Sequence, residues 1–386
     1  MICLVIGASE ESIHAICLAK KYGLEVWAYD NNPNAKGFDF ADKSFVCDIN
    51  KIDYIINTLH GAKPKLILPV PIGRALVSIG KLNDYWNLLG VRENIANILT
   101  DKYQFHMILN NYGLRDISCY LINGDQEIKE NSFKEFPYIL KPRFGSGSRN
   151  VCKIYNMLEL KSAIMNINFD EDYVLEKAVE GIEFGVDGSY DNGQFNLILL
   201  RKKVITSPPA QQCIAYLSEN YDLTILSNIK DIFQKLGTAL NLIDGIMHAD
   251  IILNNENIFI IEMSLRPSGH YLHNIFTPHV TGIDMVEEFI KKCIGSPYNF
   301  KVNYIKNSII HFFNFENELI NKIPTSEELI EKKVIDYKIY FNKGTFFEDI
   351  VKDGSVTKRG YFIIDSDNDL LKLSDEVLRI FANDSI

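Results

Sequence analysis

The stretch from His248 to Gly269, H-A-D-I-I-L-N-N-E-N-I-F-I-I-E-M-S-L-R-P-S-G, limits what this chain can fold into more than any other. Two apolar runs flank Asn254, Asn255, Glu256 and Asn257, the residue types that close a hairpin, so the stretch reads as two antiparallel strands. Folding back at that turn brings Asp250 of the first run beside Glu262 near the end of the second. The period of two along a strand puts Glu262 and Ser264 on one face, where three oxygen ligands converge on one hard cation. Arg266 follows on the same face. Paired acids, a hydroxyl and an arginine two residues on are what a magnesium-nucleotide site requires. The acids hold the ion, and the fixed cation meets transferring phosphoryl charge. A solvated hairpin with acids at its strand ends satisfies the same pattern.

The hairpin belongs to a chain of 386 residues with 47% hydrophobic content, enough to bury a large core and, at about 100 to 200 residues per domain, to form two or three domains. The net charge of −10 and the lack of a basic cluster argue against a nucleic-acid partner. Cys3, Cys17, Cys47, Cys119, Cys152, Cys213 and Cys293 lie scattered without a C-x-x-C pair, which suits reduced thiols in a cytoplasmic protein and neither a disulfide framework nor a zinc knuckle. The apolar run Ile2 to Ile6 has no basic leader and meets Glu10 and Glu11 at once, so it reads as a first strand, not a signal peptide. No apolar stretch approaches the roughly 18 residues of a membrane span.

In chain order, I-C-L-V-I-G-A-S-E-E-S reads as a buried parallel strand entering a glycine turn, followed by a helix to Lys21 and a second strand from Leu24 to Tyr29. Only Gly7 stands where a dinucleotide fold has G-x-G-x-x-G, which argues against a nicotinamide cofactor. Strand-helix alternation continues to about Val91 as an open α/β domain. The loops at its carboxyl edge include Arg74, which suits an anionic substrate and equally a solvated loop.

A helical region from Glu93 to Tyr112 contains T-D-K, with Thr100 or Asp101 as N-cap for the helix that carries Lys102. F-P-Y-I-L-K-P-R-F-G-S-G-S-R-N-V is a strand ending at Lys141, a Gly-Ser loop, and a new strand at Val151 to Ile154. Gly145 and Gly147 adopt positive φ readily and let successive amides point at phosphate oxygens, with Lys141 and Arg149 adding charge; a glycine hairpin without a ligand is the bland alternative. Asn156 to Ile167 reads as a helix and Tyr173 to Glu176 as a strand; a hairpin then turns at Asp191 to Gly193. Ser207 to Asn220, with Pro208 and Pro209, reads as an irregular segment suited to a lid. Helices are expected over Asp222 to Leu242, Asp284 to Ile294 and Leu370 to Ala382, the last in a small C-terminal lobe.

Taken in order, these pieces resemble the ATP-grasp superfamily, and within it the carboxylate-amine ligases of amino-acid-ligase-like arrangement. The resemblance implies an α/β and α+β fold: a Rossmann-like pre-ATP domain over 1–92, an ATP-grasp module over 93–300 and a small C-terminal lobe over 301–386. The module divides into a flap-bearing subdomain at about 113–180 and a metal-site subdomain at about 181–300. In this resemblance Lys102 and Lys141 bind phosphates, and the flap includes Gly145, Ser146, Gly147 and Ser148. Glu176, Lys177, Ala178 and Val179 form the hinge that meets adenine, mainly through backbone groups, and Glu183 takes the ribose. Asp250 and Glu262 are the metal acids, with Ser264 where the family usually has asparagine. Arg266 and Lys141 are the catalytic cations, and Arg74, His270 and His273 are candidates for substrate contact.

The implied cofactors are ATP and Mg2+, with Mn2+ as the alternative cation. The implied partners are small-molecule carboxylate and amine substrates, amino acids foremost, with no nucleic acid and no membrane, in a homodimer. The implied reaction is amide formation through an acyl phosphate, with release of ADP and phosphate. An ATP-dependent carboxylase using bicarbonate and a non-catalytic nucleotide-binding protein are the alternatives. His270 and His273 suit core or loop positions as well as substrate contact.

Overall fold

The computed structural model describes residues 1–123, 133, 135–145, 150–167, 171–207, 212–255, 257–348 and 356–382, with the Arg74 side chain outside the description. Its first unit is a four-stranded parallel sheet of β1 (Ile2–Ile6), β2 (Glu25–Asp30), β3 (Lys43–Val46) and β4 (Leu66–Ile67), in the order β3-β2-β1-β4. The near-continuous apolar strands buried on both faces account for this parallel arrangement. One face of the sheet packs on the helix Met285–Ile294, through Val286, Phe289 and Ile290. His14 of the first helix reaches Asp284 at 2.6 Å, and Lys21 and Tyr22 reach Glu287 at 2.7 and 2.6 Å.

The expected helical region from Glu93 to Tyr112 is two helices, Glu93–Thr100 and Lys102–Asn111, broken at Asp101. Asp101 is the N-cap of the second, accepting from the Tyr103 and Gln104 amides at 3.1 Å each. Thr100 instead turns its hydroxyl back to the Ala96 carbonyl at 2.8 Å.

A second, four-stranded sheet comprises β5 (Cys119–Ile122), β6 (Tyr138–Pro142), β7 (Cys152–Ile154) and β8 (Tyr173–Lys177), ordered β5-β8-β6-β7. The third sheet has eight strands: β9 (Ile182–Asp191), β10 (Gln194–Ile205), β11 (Cys213–Ser218), β12 (Gly245–Asn254), β13 (Asn257–Ser264), β14 (Ser308–Phe312), β16 (Val334–Ile339) and β18 (Gly360–Asp365). Their order is β13-β12-β9-β10-β11-β14-β18-β16, while β15 (Glu318–Leu319) and β17 (Phe346–Phe347) form a separate ribbon. The strands after residue 301 therefore extend the sheet that bears the acids, so the C-terminal segment is continuous with it.

The Ser207 to Asn220 segment departs from expectation, because Cys213–Ser218 is a strand paired on both sides, with β10 and with β14. Pro208 and Pro209 dominate a local reading of that segment, whereas its pairing partners are remote in sequence; residues 208–211 lie outside the described set.

Alternation divides the eight-stranded sheet by face. Phe184, Val186, Leu200, Met247, Ala249 and Ile251 share one core with Ile229, Phe233 and Leu236 of the helix Leu223–Ala239. The other face carries polar side chains and forms the floor of the site.

Candidate active site

The hairpin of β12 and β13 forms as its residues predict, with Asn254 opposite Asn257 and Asn255 at φ 52° in the turn. Asp250 stands directly opposite Glu262, and a bulge follows between Asp250 and Ile251. Ser264 pairs with His248, the next same-face position along β12. On the other side of β12, Gly185 lies opposite Asp250 and Glu183 opposite Ile252, and β10 continues the row with Arg201 opposite Gly185. One sheet face thus gathers Glu183, Asp187, Arg201, Lys203, His248, Asp250, Glu262 and Ser264.

Lys203 Nζ lies 2.5 Å from Asp250 Oδ2 and 3.8 Å from Glu183 Oε2, so one cation serves both acids. Desolvation raises the pKa of Lys203's partner Glu183, opposed by Lys203 itself. Glu262 opens to the solvent of the cleft. Its carboxyl is nevertheless raised above the usual range, first by desolvation among the surrounding protein and then by the Asp250 charge, while Lys203, Lys141 and Lys102 oppose the rise.

Two acids that face each other, with the Asp250 charge raising the Glu262 pKa, fit a divalent cation. Magnesium takes one or two carboxylates and completes its octahedron with phosphate oxygens and water. Among the described residues no group of three or more His, Cys, Asp or Glu side chains gathers in metal-holding geometry. The donor set therefore suits an ion shared with a polyphosphate better than one caged by protein alone.

The four-stranded sheet supplies the opposing cations. Lys141, on β6, points its Nζ at Glu176 Oε1 of β8 at 2.5 Å. Glu176 also receives Arg115 Nη2 at 3.1 Å and lies 3.5 Å from His106 Nδ1. Burial alone would raise the Glu176 pKa, but Lys141, His106 and Arg115 hold it well below the ordinary carboxylate range. The Glu176 side chain is therefore the counter-ion of Lys141.

Lys102 Nζ donates to the Gly145 carbonyl at 2.8 Å, which ties the start of its helix to the glycine loop. Its pKa is lowered, by desolvation first, with Glu262 opposing. Arg143 clamps the same junction, meeting Asp101 at 3.0 and 2.7 Å and Asp172 at 2.8 Å. Gly145 has φ 105°, a conformation that favours glycine, whereas Ser146, Gly147 and Ser148 lie outside the described residues.

At the hinge, the Lys177 amide donates to Ser118 O and the Ala178 amide to Pro137 O, both at 3.0 Å, so both N–H groups are already engaged. The Lys177 ammonium is held by the Glu135 and Phe136 carbonyls, the second at 3.1 Å. Val179 lies two residues past the end of β8.

Arg266 stands past the end of β13, with Nη1 on the Pro267 carbonyl at 3.0 Å and a buried Nε that has no hydrogen-bond partner among the described residues. Its desolvated guanidinium is acted on by Glu262, Glu11 and Asp250. Its Nε would lie 3.4 Å from a Cβ at Gly73, so the loop bearing Arg74 abuts it. His270 sits next to Arg266 in the cleft, with its amide on Glu11 Oε1 at 2.8 Å and its pKa lowered by burial. His273 is 1% exposed, with Nδ1 on the Ser268 carbonyl at 2.6 Å, so it stands behind the cleft wall and does not face a ligand.

Sequence reasoning missed Arg201, Lys203, Arg115 and His106. The run R-K-K on β10 carried a usable signal, since its alternation puts Arg201 and Lys203 on the polar face. Arg201 is 2% exposed, lies 3.2 Å from Asp187 and crosses Gly185, where a Cβ would meet Nη1 at 1.9 Å. Arg115 and His106 had no such signal.

Residues 134–273 match the family model for the ATP-grasp domain. Formate-dependent phosphoribosylglycinamide formyltransferase of Prochlorococcus marinus is 21% identical over 340 residues, covering 82% of each chain. Among solved structures, an L-amino acid ligase from Bacillus licheniformis superposes with a TM-score of 0.79 at 15% identity, covering 98% of this chain and 96% of that one. The biotin carboxylase domain of the 2-oxoglutarate carboxylase of Hydrogenobacter thermophilus, solved with MgADP and bicarbonate, gives a TM-score of 0.71 at 17% identity over 98% of this chain and 89% of that one. Lys141 on one sheet, Lys102 at the start of its helix and the facing acids on the other sheet thus sit in a known frame: the protein has the ATP-grasp fold and carries an ATP-grasp domain.

Proposed function

We propose that this protein uses ATP to activate the carboxylate of a small molecule as an acyl phosphate and joins it to an amine, forming an amide and releasing ADP and phosphate. The observation that carries this reading is the Asp250–Glu262 pair on β12 and β13, acted on by Lys102 and Lys141 from the other side of the cleft. Such an arrangement brackets a magnesium polyphosphate between acids that hold the cation and lysines that hold phosphate oxygens. Bound there, magnesium or manganese neutralises the charge on the β- and γ-phosphates.

The chain's own groups do the rest in this reading. Lys141 exchanges Glu176 for phosphate, while Arg115 and His106 keep Glu176 satisfied. Lys102, Gly145 and the following Ser146, Gly147 and Ser148 cover the phosphates. Adenine meets the backbone at Glu176 to Val179, where the Lys177 and Ala178 amides are already engaged, leaving carbonyls and the Val179 amide. Glu183 takes the ribose. Arg266 faces the transferring phosphoryl group, Ser264 supplements the acids, and His270 and Arg74 border the acceptor side. The substrate carboxylate attacks the γ-phosphorus as the bond to the bridging oxygen of ADP breaks; the amine then attacks the acyl carbon and phosphate departs.

Hydroxylamine can replace the amine in such a reaction and gives a stable product. With ATP, magnesium and the right acid, the enzyme is expected to yield the hydroxamate, ADP and phosphate, with no AMP. ADP formation that needs bicarbonate in place of an organic acid marks a carboxylase. AMP with pyrophosphate marks adenylation, and no nucleotide turnover with any acid marks a binding protein; each of these outcomes overturns the proposal.

A further inference from the structure

Among the side chains gathered on the polar face of the eight-stranded sheet are four acids, Glu183, Asp187, Asp250 and Glu262, and two cations, Arg201 and Lys203. How they pair decides how many metal ions the face can hold. On one flank of the Asp250–Glu262 row, Lys203 stands between Asp250 and Glu183, with its Nζ 2.5 Å from the first and 3.8 Å from the second. The Lys203 side chain is only 11% exposed, so displacing its ammonium from Asp250 would strand a charge that water barely reaches. The gap between Asp250 and Glu183 is therefore already filled by a cation.

On the other flank, His248 pairs with Ser264 of β13 and with Asp187 of β9. A second ion on that side would need Asp187, the one further acid of its row, beside Glu262 and Ser264. Asp187 is fully buried and already engaged: Oδ1 lies 3.2 Å from Arg201 Nη2, and Oδ2 accepts the Thr277 hydroxyl at 3.1 Å. Arg201 reaches it by lying across Gly185, where any Cβ would collide with its Nη1. Gly185 stands directly opposite Asp250, so this guanidinium sets a fixed positive charge beside the metal acids, with Nε and Nη1 lacking hydrogen-bond partners among the described residues. Ser264 contributes a neutral hydroxyl, which offers a hard dication less than a carboxylate does.

The charge balance agrees with the pairing. Four carboxylates against Lys203 and Arg201 leave two negative charges on the face, which one divalent cation neutralises; a second would stand beside two cations without a carboxylate of its own. We propose that the face binds a single divalent cation, on Asp250 and Glu262, and that Lys203 and Arg201 are built-in cations that exclude a second. The inference rests on the magnesium-nucleotide reading above and adds to it the number of ions and the residues that fix that number.

Manganese is the probe, because two ions sharing a site at about 3.5 to 4 Å are spin-coupled in electron paramagnetic resonance and a single ion is not. With the full chain and a non-hydrolysable ATP analogue, the parent is expected to bind one Mn2+ per chain at saturation, with an uncoupled spectrum. Lys203→Met frees Asp250 and Glu183 together and is expected to take up a second, coupled Mn2+. Lys203→Arg keeps the charge and is expected to stay at one. Two ions in the parent, or a single uncoupled ion in Lys203→Met, overturns the proposal. Titrated without nucleotide, Mn2+ is expected to bind Lys203→Met about tenfold or more tightly than the parent, since the ammonium no longer competes for Asp250; equal affinity overturns the proposal. That titration decides the role of Lys203 even where the analogue fails to bind, a failure that sinks the magnesium-nucleotide reading instead. Should Lys203→Met not fold, the Mn2+ count of the parent decides, one ion upholding the proposal and two overturning it.

Discussion

Lys141 shows why naming a residue is not the same as knowing its state. The strand F-P-Y-I-L-K-P delivers the lysine to the cleft, yet the folded chain has already paired it with Glu176 at 2.5 Å. A phosphate must compete with a buried carboxylate for the same ammonium, so affinity depends on how well Arg115 and His106 satisfy Glu176 once Lys141 turns away. Glu262 is the opposite case, a carboxylate whose neighbours pull in both directions: Asp250 raises its pKa and three lysines lower it. These opposed effects make Glu262→Gln close to neutral for the ligand-free fold, with a melting temperature within about 2 °C of the parent. Magnesium-ATP is then expected to raise the parent's melting temperature and not the variant's, because ligand stabilisation follows occupancy. Equal shifts in a thermal melt remove Glu262 from the metal site.

At the scale of elements, the cleft is held by a side chain that belongs to neither hairpin nor glycine loop. Arg115, in the connection between the helix Lys102–Asn111 and β5, donates Nη2 to Glu176 on β8 and Nη1 to the Ile260 carbonyl on β13 at 2.9 Å. Ile260 precedes Glu262 by two residues, at the bulge, so one guanidinium joins the four-stranded sheet to β13. Removing one partner of a buried ion pair costs about 3 to 5 kcal/mol when nothing replaces it. Since Glu176 keeps Lys141, Arg115→Met is expected to cost about 3 kcal/mol in urea unfolding and to weaken binding of an ATP analogue. An unfolding midpoint equal to the parent's contradicts the bridging role.

Over the whole molecule, buried histidines set the acid limit of stability. Burial pushes the His273 and His311 pKa values down to about 4 each, against roughly 6.5 in an unfolded chain. The unfolded state therefore binds protons that the folded state refuses, so stability is full above about pH 6.5 and falls as pH drops toward 4, by up to about 3 kcal/mol for each histidine. Glu176 is held so low that its contribution persists across that window. Urea midpoints at pH 7.5 and pH 5 are expected to show the loss, and His311→Leu to reduce it. A parent midpoint that does not move between those pH values contradicts it. Among the described residues no helix is long and apolar enough to cross a membrane, and all seven cysteines are free.

What the sequence determined by itself is whatever rests on chemistry a few residues apart. The turn at Asn255, a helix cap at Thr100 or Asp101, the alternation that sets Asp250 opposite Glu262 and the order of strands and helices around them all follow from local dihedral preference and side-chain period. Only the tertiary structure decided which charges meet: Lys203 with Asp250, Arg115 with Glu176, Glu11 with the His270 amide. It also made Cys213–Ser218 a strand, because β10 and β14 flank it, and it carried the acid-bearing sheet past residue 301. The reason is physical: backbone preference decays within a turn or two of chain, whereas a buried ion pair or a strand pairing gains its energy from partners far away in sequence, which leave no local trace.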